Sequence, residues 1–208
     1  MTGSRIALLA DAAIDLIAEA GMRGLTHRAV DARARLPLGS TSAYFRTREA
    51  LIEGVVRRLA ELEWADITRD QLASGPPRAD PAPLTAADIE HLAIGIATLL
   101  DRWLSAHRNR TLARYACLIE ATHRPQLRQI LSHGTAFRAQ AEALLARAGA
   151  PDPSRQGAHL VAYIDGLLFD RLAGAGALTA PTPGTTESRE DLRQAVQAVL
   201  YATTAPHP

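Results

Sequence analysis

Six arginines (Arg23, Arg28, Arg33, Arg35, Arg46 and Arg48) and a single acid, Asp31, lie between Met22 and Arg48, a local net charge of +5 with His27 in addition. Guanidinium groups at that density suit one chemistry, permanent and often bidentate hydrogen bonding to phosphate oxygens and guanine edges. Interleaved with them are the short hydroxyls of Thr26, Ser40, Thr41 and Ser42, together with Gly39 and Tyr44. Short side chains reach a base only when the backbone comes close, which Gly39 permits. Residues 1–60 hold nine arginines against six acids, whereas the whole chain is only +1, so residues 61–208 sum to −2. Positive charge is concentrated where DNA would be held. The plainer alternative, a solvated basic face, has no need of the local pattern described below.

Other groups invite other chemistry. Glu120-x-x-His123 has the spacing of carboxylate-bridged metal sites in helix bundles, and Asp88-x-x-His91 is a looser copy. Such a site needs further inward carboxylates, and none stands out on an apolar face, so no metal is expected and Asp88 reads better as a helix cap. Cys117 stands alone and reads as a core thiol. No catalytic set and no cofactor motif is evident. Aromatics make up only 4% of the chain. Six of the large rings (Trp64, Trp103, Tyr115, Phe137, Tyr163 and Phe169) fall in the connector and later segments, where they could line a shared cavity, with Glu120 and His123 as polar anchors. Ordinary core filling is the alternative for each ring.

The elements that must position these groups follow from periodicity and breakers. Ile6, Leu9, Ala10, Ala13, Ile14 and Ile17 recur at three and four, predicting a helix over residues 4–20 that stops at Gly21. Thr26 caps a short second helix, Pro37 ends its pattern, and Leu38-Gly39 leads into a third at 40–45. Two short helices with a tight turn are the helix-turn-helix pattern. Thr47 caps a long connector that runs to about residue 72, with Arg57 and Arg58 expected in solvent. Residues 74–84 hold four prolines and predict a loop. Thr85 with Asp88 opens a fifth helix, and others are expected at about 110–122, 125–148, 154–173 and, capped by Ser188, 188–202. Residues 174–186 read as a loop. The count is about nine helices in an all-α chain.

The block around residues 5–58 resembles the DNA-binding domain of the tetracycline-repressor (TetR) family of bacterial transcription regulators. The resemblance rests on Ala20-Gly21, Thr26, Gly39-Ser40, Tyr44-Phe45 and Thr47-Arg48-Glu49-Ala50-Leu51, in that order. Two positions depart from the family pattern: Ser42 or Ala43 stands where an aromatic is usual, and Leu38 where a basic residue is common. The resemblance implies a helix-turn-helix domain at 1–48 and a C-terminal bundle for ligand binding and dimerisation at 49–208. It implies a regulator, most often a repressor, released from a near-palindromic duplex operator by a small-molecule effector. Ser40, Thr41, Ser42 and Tyr44 are then expected to face the groove. Thr26, His27, Arg28 and Arg48 are expected to hold phosphates, Arg48 at the family's phosphate-contacting position.

A homodimer is expected through the last two long helices, with Ala162, Gly166, Ala195 and Ala198 allowing close approach and Leu168 and Val196 in the interface. The competing class is a helical metal-binding bundle or enzyme with an incidental basic turn. One cysteine fits a reducing cytoplasm, no leader segment is read at the N-terminus, and no run approaches ~20 apolar residues, so no membrane span is expected.

Overall fold

The computed structural model describes residues 2–73, 85–125, 127 and 135–204. Among them are ten helices and no strand: α1 (Thr2–Gly24), α2 (His27–Arg33), α3 (Ser40–Tyr44), α4 (Arg48–Ala73), α5 (Ala86–Leu104), α6 (Arg108–His123), α7 (Thr135–Arg147), α8 (Pro153–Ala173), α9 (Gly176–Thr179) and α10 (Thr186–Thr204). The proline-rich loop expected at 74–84 lies outside the described residues, as do most of residues 125–134, where the seventh helix was expected to begin.

The starts and stops have local causes. The Thr26 hydroxyl accepts from the Ala29 N–H, and the Thr47 hydroxyl from the Ala50 N–H. Thr85 and Asp88 form a complete capping box, each side chain accepting from the other's backbone N–H. Gly21 interrupts the helical geometry of α1 at φ 65°, and the chain then makes one more turn to Gly24. The cap of α10 is Thr185, whose hydroxyl accepts from the Ser188 N–H, and not Ser188, whose own hydroxyl is engaged elsewhere. The segment expected to be a loop at 174–186 contains the one-turn helix α9; its Leu178 is 91% exposed, so no apolar periodicity announces it.

The chain divides into two compact units: residues 1–65 with 107–133, and residues 66–106 with 134–208. The division falls inside α4, which contributes residues to both. In the first unit Leu9, Ala13, Ile14 and Ile17 of α1 close over Leu51, Ile52, Val55 and Leu59 of α4, with Leu25, Val30 and Phe45 between. Each such fully buried aliphatic side chain contributes roughly 1.5–3 kcal/mol. From α6, Ala113, Cys117 and Ala121 repeat every four residues and present a slim ridge to the same core. Gly54 is a glycine because Phe45 lies on it: a Cβ there would fall 2.3 Å from the ring.

In the second unit α5 packs along α10, and α8 packs on α7, α9 and α10. Leu100 and Leu104 of α5, Leu192, Val196 and Leu200 of α10, and Leu160, Leu168 and Leu172 of α8 are all buried. A Cβ on Gly157 would sit 2.8 Å from the Glu142 backbone nitrogen, so α7 and α8 touch backbone to backbone there. Glu90 of α5 accepts from Arg193 of α10 at 2.8 Å and from Gln197, and Arg171 of α8 pairs with Asp191 of α10.

Candidate nucleic-acid interface

The geometry of α2 and α3 is set by a carboxylate. Asp31, near the end of α2, is 1% exposed. Its Oδ2 accepts from the Gly39 N–H at 2.8 Å. Its Oδ1 accepts from the Thr41 N–H at 2.7 Å and the Thr41 hydroxyl at 2.6 Å. Gly39 stands at φ 91°, the left-handed region, so that the turn can aim those N–H groups back at α2. Burial by itself raises the Asp31 carboxyl; the Thr41 and Gly39 bonds and nearby His27 outweigh it and hold the group below the usual carboxylate range. The basic stretch therefore keeps one acid as the strut that fixes α3 against α2.

Three of the expected DNA contacts turn inward. Thr41 is 0% exposed with its hydroxyl on Asp31, so, contrary to expectation, it cannot offer that hydroxyl to a base edge. Arg48 does not reach outward either. Its guanidinium donates to the Met22 and Leu25 carbonyls, which the end of α1 leaves without helical partners. His27 is half-buried, and its Nε2 donates to the Phe45 carbonyl at 2.7 Å, tying the start of α2 to the end of α3.

Gly39, Ser42 and Tyr44 are exposed, as are Thr26 and Arg28; Ser40 is half-buried, its hydroxyl donating to the Pro37 carbonyl at 2.6 Å. Of the other arginines, Arg33 is held by both carboxylate oxygens of Glu19, while Arg23, Arg35 and Arg46 are exposed. Arg58, expected in solvent, instead forks onto Asp11 with bonds of 2.8 and 3.2 Å and braces α4 against α1. The basic surface thus narrows to Arg23, Arg28, Arg35 and Arg46. Arg35 occupies φ 54°, a left-handed conformation uncommon for a residue with a Cβ. Asp31 was missed as a structural determinant; the signal available was one acid in a run of arginines, eight residues before a glycine.

The candidate effector residues are divided between the two units. Trp64, Tyr115, Glu120 and His123 belong to the first unit, and Trp103, Phe137, Tyr163 and Phe169 to the second. In the first, Arg124 pairs with both Glu120 and Glu49, the Arg114 guanidinium carbon lies 5.1 Å from the Tyr115 ring centre, and His123 and Trp64 are exposed. Buried Cys117 has its thiol pushed up to about 12 by burial and by Glu120, which makes it inert.

In the second unit Trp103 and Phe137 meet edge to face, ring centres 6.4 Å apart. The Trp103 Nε1 donates to Asp66 at 3.2 Å, and Arg69 donates to the same buried carboxylate. Asp66 carries no sequence signal beyond its place on α4. Tyr163 and Phe169 are 42% and 43% exposed on α8. No group of three or more metal-ligating side chains occurs among the described residues, and no described helix is long and apolar enough to cross a membrane.

Residues 87–202 match the family described as Tetracyclin repressor-like, C-terminal domain. The HTH-type transcriptional regulator BetI of Burkholderia thailandensis is 34% identical over 175 residues, 82% of this chain and 83% of that protein. The chain belongs to the TetR family. It is a DNA-binding transcriptional regulator and not an enzyme. Solved TetR-like structures share the fold over nearly the whole chain. A TetR-family member from Streptomyces coelicolor A3 is 28% identical with a TM-score of 0.67, covering 94% of this chain and 97% of that one. The multidrug binding protein EbrR complexed with imidazole is 27% identical with a TM-score of 0.64, covering 98% and 96%. TetR-family regulators bind DNA and small-molecule effectors, and EbrR has also been solved with ethidium, malachite green and proflavin.

Proposed function

We propose that this regulator is a cytoplasmic, homodimeric repressor that binds a near-palindromic duplex operator through residues 1–48 and is released by a small molecule bound within residues 49–208. The observation that carries the first half is the α2–α3 pair, locked by Asp31 and bordered by the exposed Arg23, Arg28, Arg35 and Arg46. Ser40, Ser42 and Tyr44 are the proposed groove-facing side chains, with Thr26 and Arg28 on phosphates. Gel shifts with duplex DNA from upstream of the protein's own gene test this: binding must be tighter than to random duplex and must weaken steeply with salt. Binding equal on both duplexes would remove the operator reading.

Dimerisation is proposed through the outer faces of α8 and α10. Ala162 and Gly166 are exposed on α8, as is Ala198 on α10; Ala195 is half-buried, and nothing lies within 4 Å of a Cβ on Gly166. Tyr163, Phe169 and Tyr201 flank them, each more than two-fifths exposed. Leu168 and Val196, expected in this interface, are 0% exposed within the single chain and belong to its own core. An arginine at either would unfold the unit rather than split a dimer. Gly166→Arg with Ala198→Arg is the informative pair, and a dimer surviving both changes places the interface elsewhere.

For the effector, Trp103, Phe137 and Asp66 support a flat cation: two rings nearly at right angles supply area, and a cation could take the place of Arg69 on the Asp66 carboxylate. The dyes held by EbrR have that chemistry. Such a ligand can loosen DNA binding only by its differential affinity for two states, about 1–3 kcal/mol or roughly 5–150-fold. Tryptophan quenching by proflavin, lost in Trp103→Ala together with DNA release, is the expected result. Release that persists unchanged in that variant moves the effector site.

A further inference from the structure

Leu38 is 73% exposed, immediately before the left-handed Gly39 that opens α3. Its surroundings are unusual for an apolar side chain left in water: the exposed positions that follow on α3 are Ser42, Ala43 and Tyr44, and the exposed Arg28, Arg35 and Arg46 occur in the same short stretch. Thr41 has turned inward to Asp31, and the Ser40 proton is committed to Pro37. The outward side of the reading element therefore sets apolar surface, an isobutyl group at Leu38 and a methyl at Ala43, beside the hydroxyls of Ser42 and Tyr44. Only one base presents an apolar group in the major groove, thymine through its C5 methyl.

We propose that Leu38 is a specificity-determining residue that selects thymine by packing on its C5 methyl. The inference rests on the DNA-binding reading of α2 and α3. Leu38 needs no rearrangement to act, because Asp31 fixes the turn through the Gly39 N–H before any DNA arrives. The exposed Arg28, Arg35 and Arg46 of the same stretch favour a polyanion over an apolar protein surface as the occupant. Discrimination of this kind excludes no base by hydrogen bonding; it favours thymine, and 5-methylcytosine in its place, over bases lacking the methyl.

The test begins with selection of bound duplexes from a random library by the full-length protein. Thymidines in a selected duplex are then replaced one at a time by deoxyuridine, which deletes the methyl and keeps every hydrogen-bonding group. At one position per half-site, deoxyuridine should weaken wild-type binding about three- to fivefold, the loss of one buried methyl. Leu38→Ala, checked for an unchanged melting temperature, should bind the thymidine and deoxyuridine duplexes equally. With a C·G pair at that position, 5-methylcytosine should bind more tightly than cytosine for the wild type only. The proposal is overturned if no thymidine in the selected duplex responds, or if Leu38→Ala keeps the full deoxyuridine effect. Failure to select any duplex would overturn the DNA-binding reading itself, an outcome distinct from a selected duplex that ignores its methyl groups.

Discussion

Asp31 in the first unit and Asp101 in the second perform the same local task over very different stretches of chain. Each is a buried carboxylate that accepts from the N–H of a left-handed glycine and from a hydroxyl in the first turn of a following helix. For Asp31 these are Gly39, at φ 91°, and Thr41; for Asp101 they are Gly184, at φ 89°, and Ser188. The Asp31 contacts span eight and ten residues. The Asp101 contacts span 83 and 87, with Arg189 also within 3.4 Å. A helix start that lacks its own capping side chain, as α3 does, can thus be satisfied from a neighbouring helix. The short loop makes the first unit's turn a nearly self-contained part, as a DNA-reading element must be. The long separation in the chain makes the second a clasp between α5 and α10.

Removing each carboxylate should separate the two roles. Asp31→Ala and Asp101→Ala each strand buried donors and should each cost about 3 kcal/mol, read by urea unfolding. Asp31→Ala should also abolish operator binding while the protein is still folded. Asp101→Ala should spare it at low temperature. Equal loss of DNA binding in folded samples of both variants would break the distinction.

The close glycine contacts sharpen it at a smaller scale. Gly157→Ala meets the Glu142 backbone, which has no rotamer to change, and should cost about 2–3 kcal/mol. Gly54→Ala meets the Phe45 ring; against a gain of about 1 kcal/mol in helix propensity, overpacking should win by roughly 1 kcal/mol. Thermal melts of the two variants check the order.

The pH dependence of Asp31 follows from its depressed carboxyl. Its folded value lies below the unfolded one, about 3.9, so its stabilisation is fully present above that value. It is lost as pH falls through the folded value. Asp31→Asn should therefore be less stable than the wild type at neutral pH, by a gap that narrows as pH drops below about 4. A gap that widened with acid would contradict the assignment. The smallest effect concerns Arg35, held at φ 54°. Arg35→Gly should relieve the left-handed strain yet loosen the unfolded chain, for a net gain of a few tenths to about 1 kcal/mol, while flattening the salt dependence of DNA binding.

Sequence reading located the helices well because apolar periodicity and capping residues are local signals. Thr26, Thr47 and the Thr85–Asp88 box all act as their positions suggest. It went astray where a polar side chain had two possible partners. Thr41 and Arg48 have the right types for DNA, but a carboxylate and two orphan carbonyls inside the protein claim them first. Arg58 was assigned to solvent because Asp11, 47 residues away, could not be foreseen as its partner. Leu168 and Val196 show the same limit for apolar groups: a helical stripe says that a face is buried, not whether a subunit or a partner buries it. Asp101 and Gly184 lie too far apart in the chain for any spacing rule to join them.

The central claim is that exposed arginines around a carboxylate-locked turn hold duplex DNA. Its most direct test is the salt dependence of binding to a selected duplex, measured by fluorescence anisotropy for the wild type, Arg28→Ala and Arg193→Ala. Arg193 pairs with Glu90 and Glu190 in the second unit. Arg28→Ala should lower the slope of log affinity against log salt by about one, and Arg193→Ala should leave it unchanged. A slope that ignores Arg28 and falls with Arg193 would place the DNA on the other unit and contradict the account.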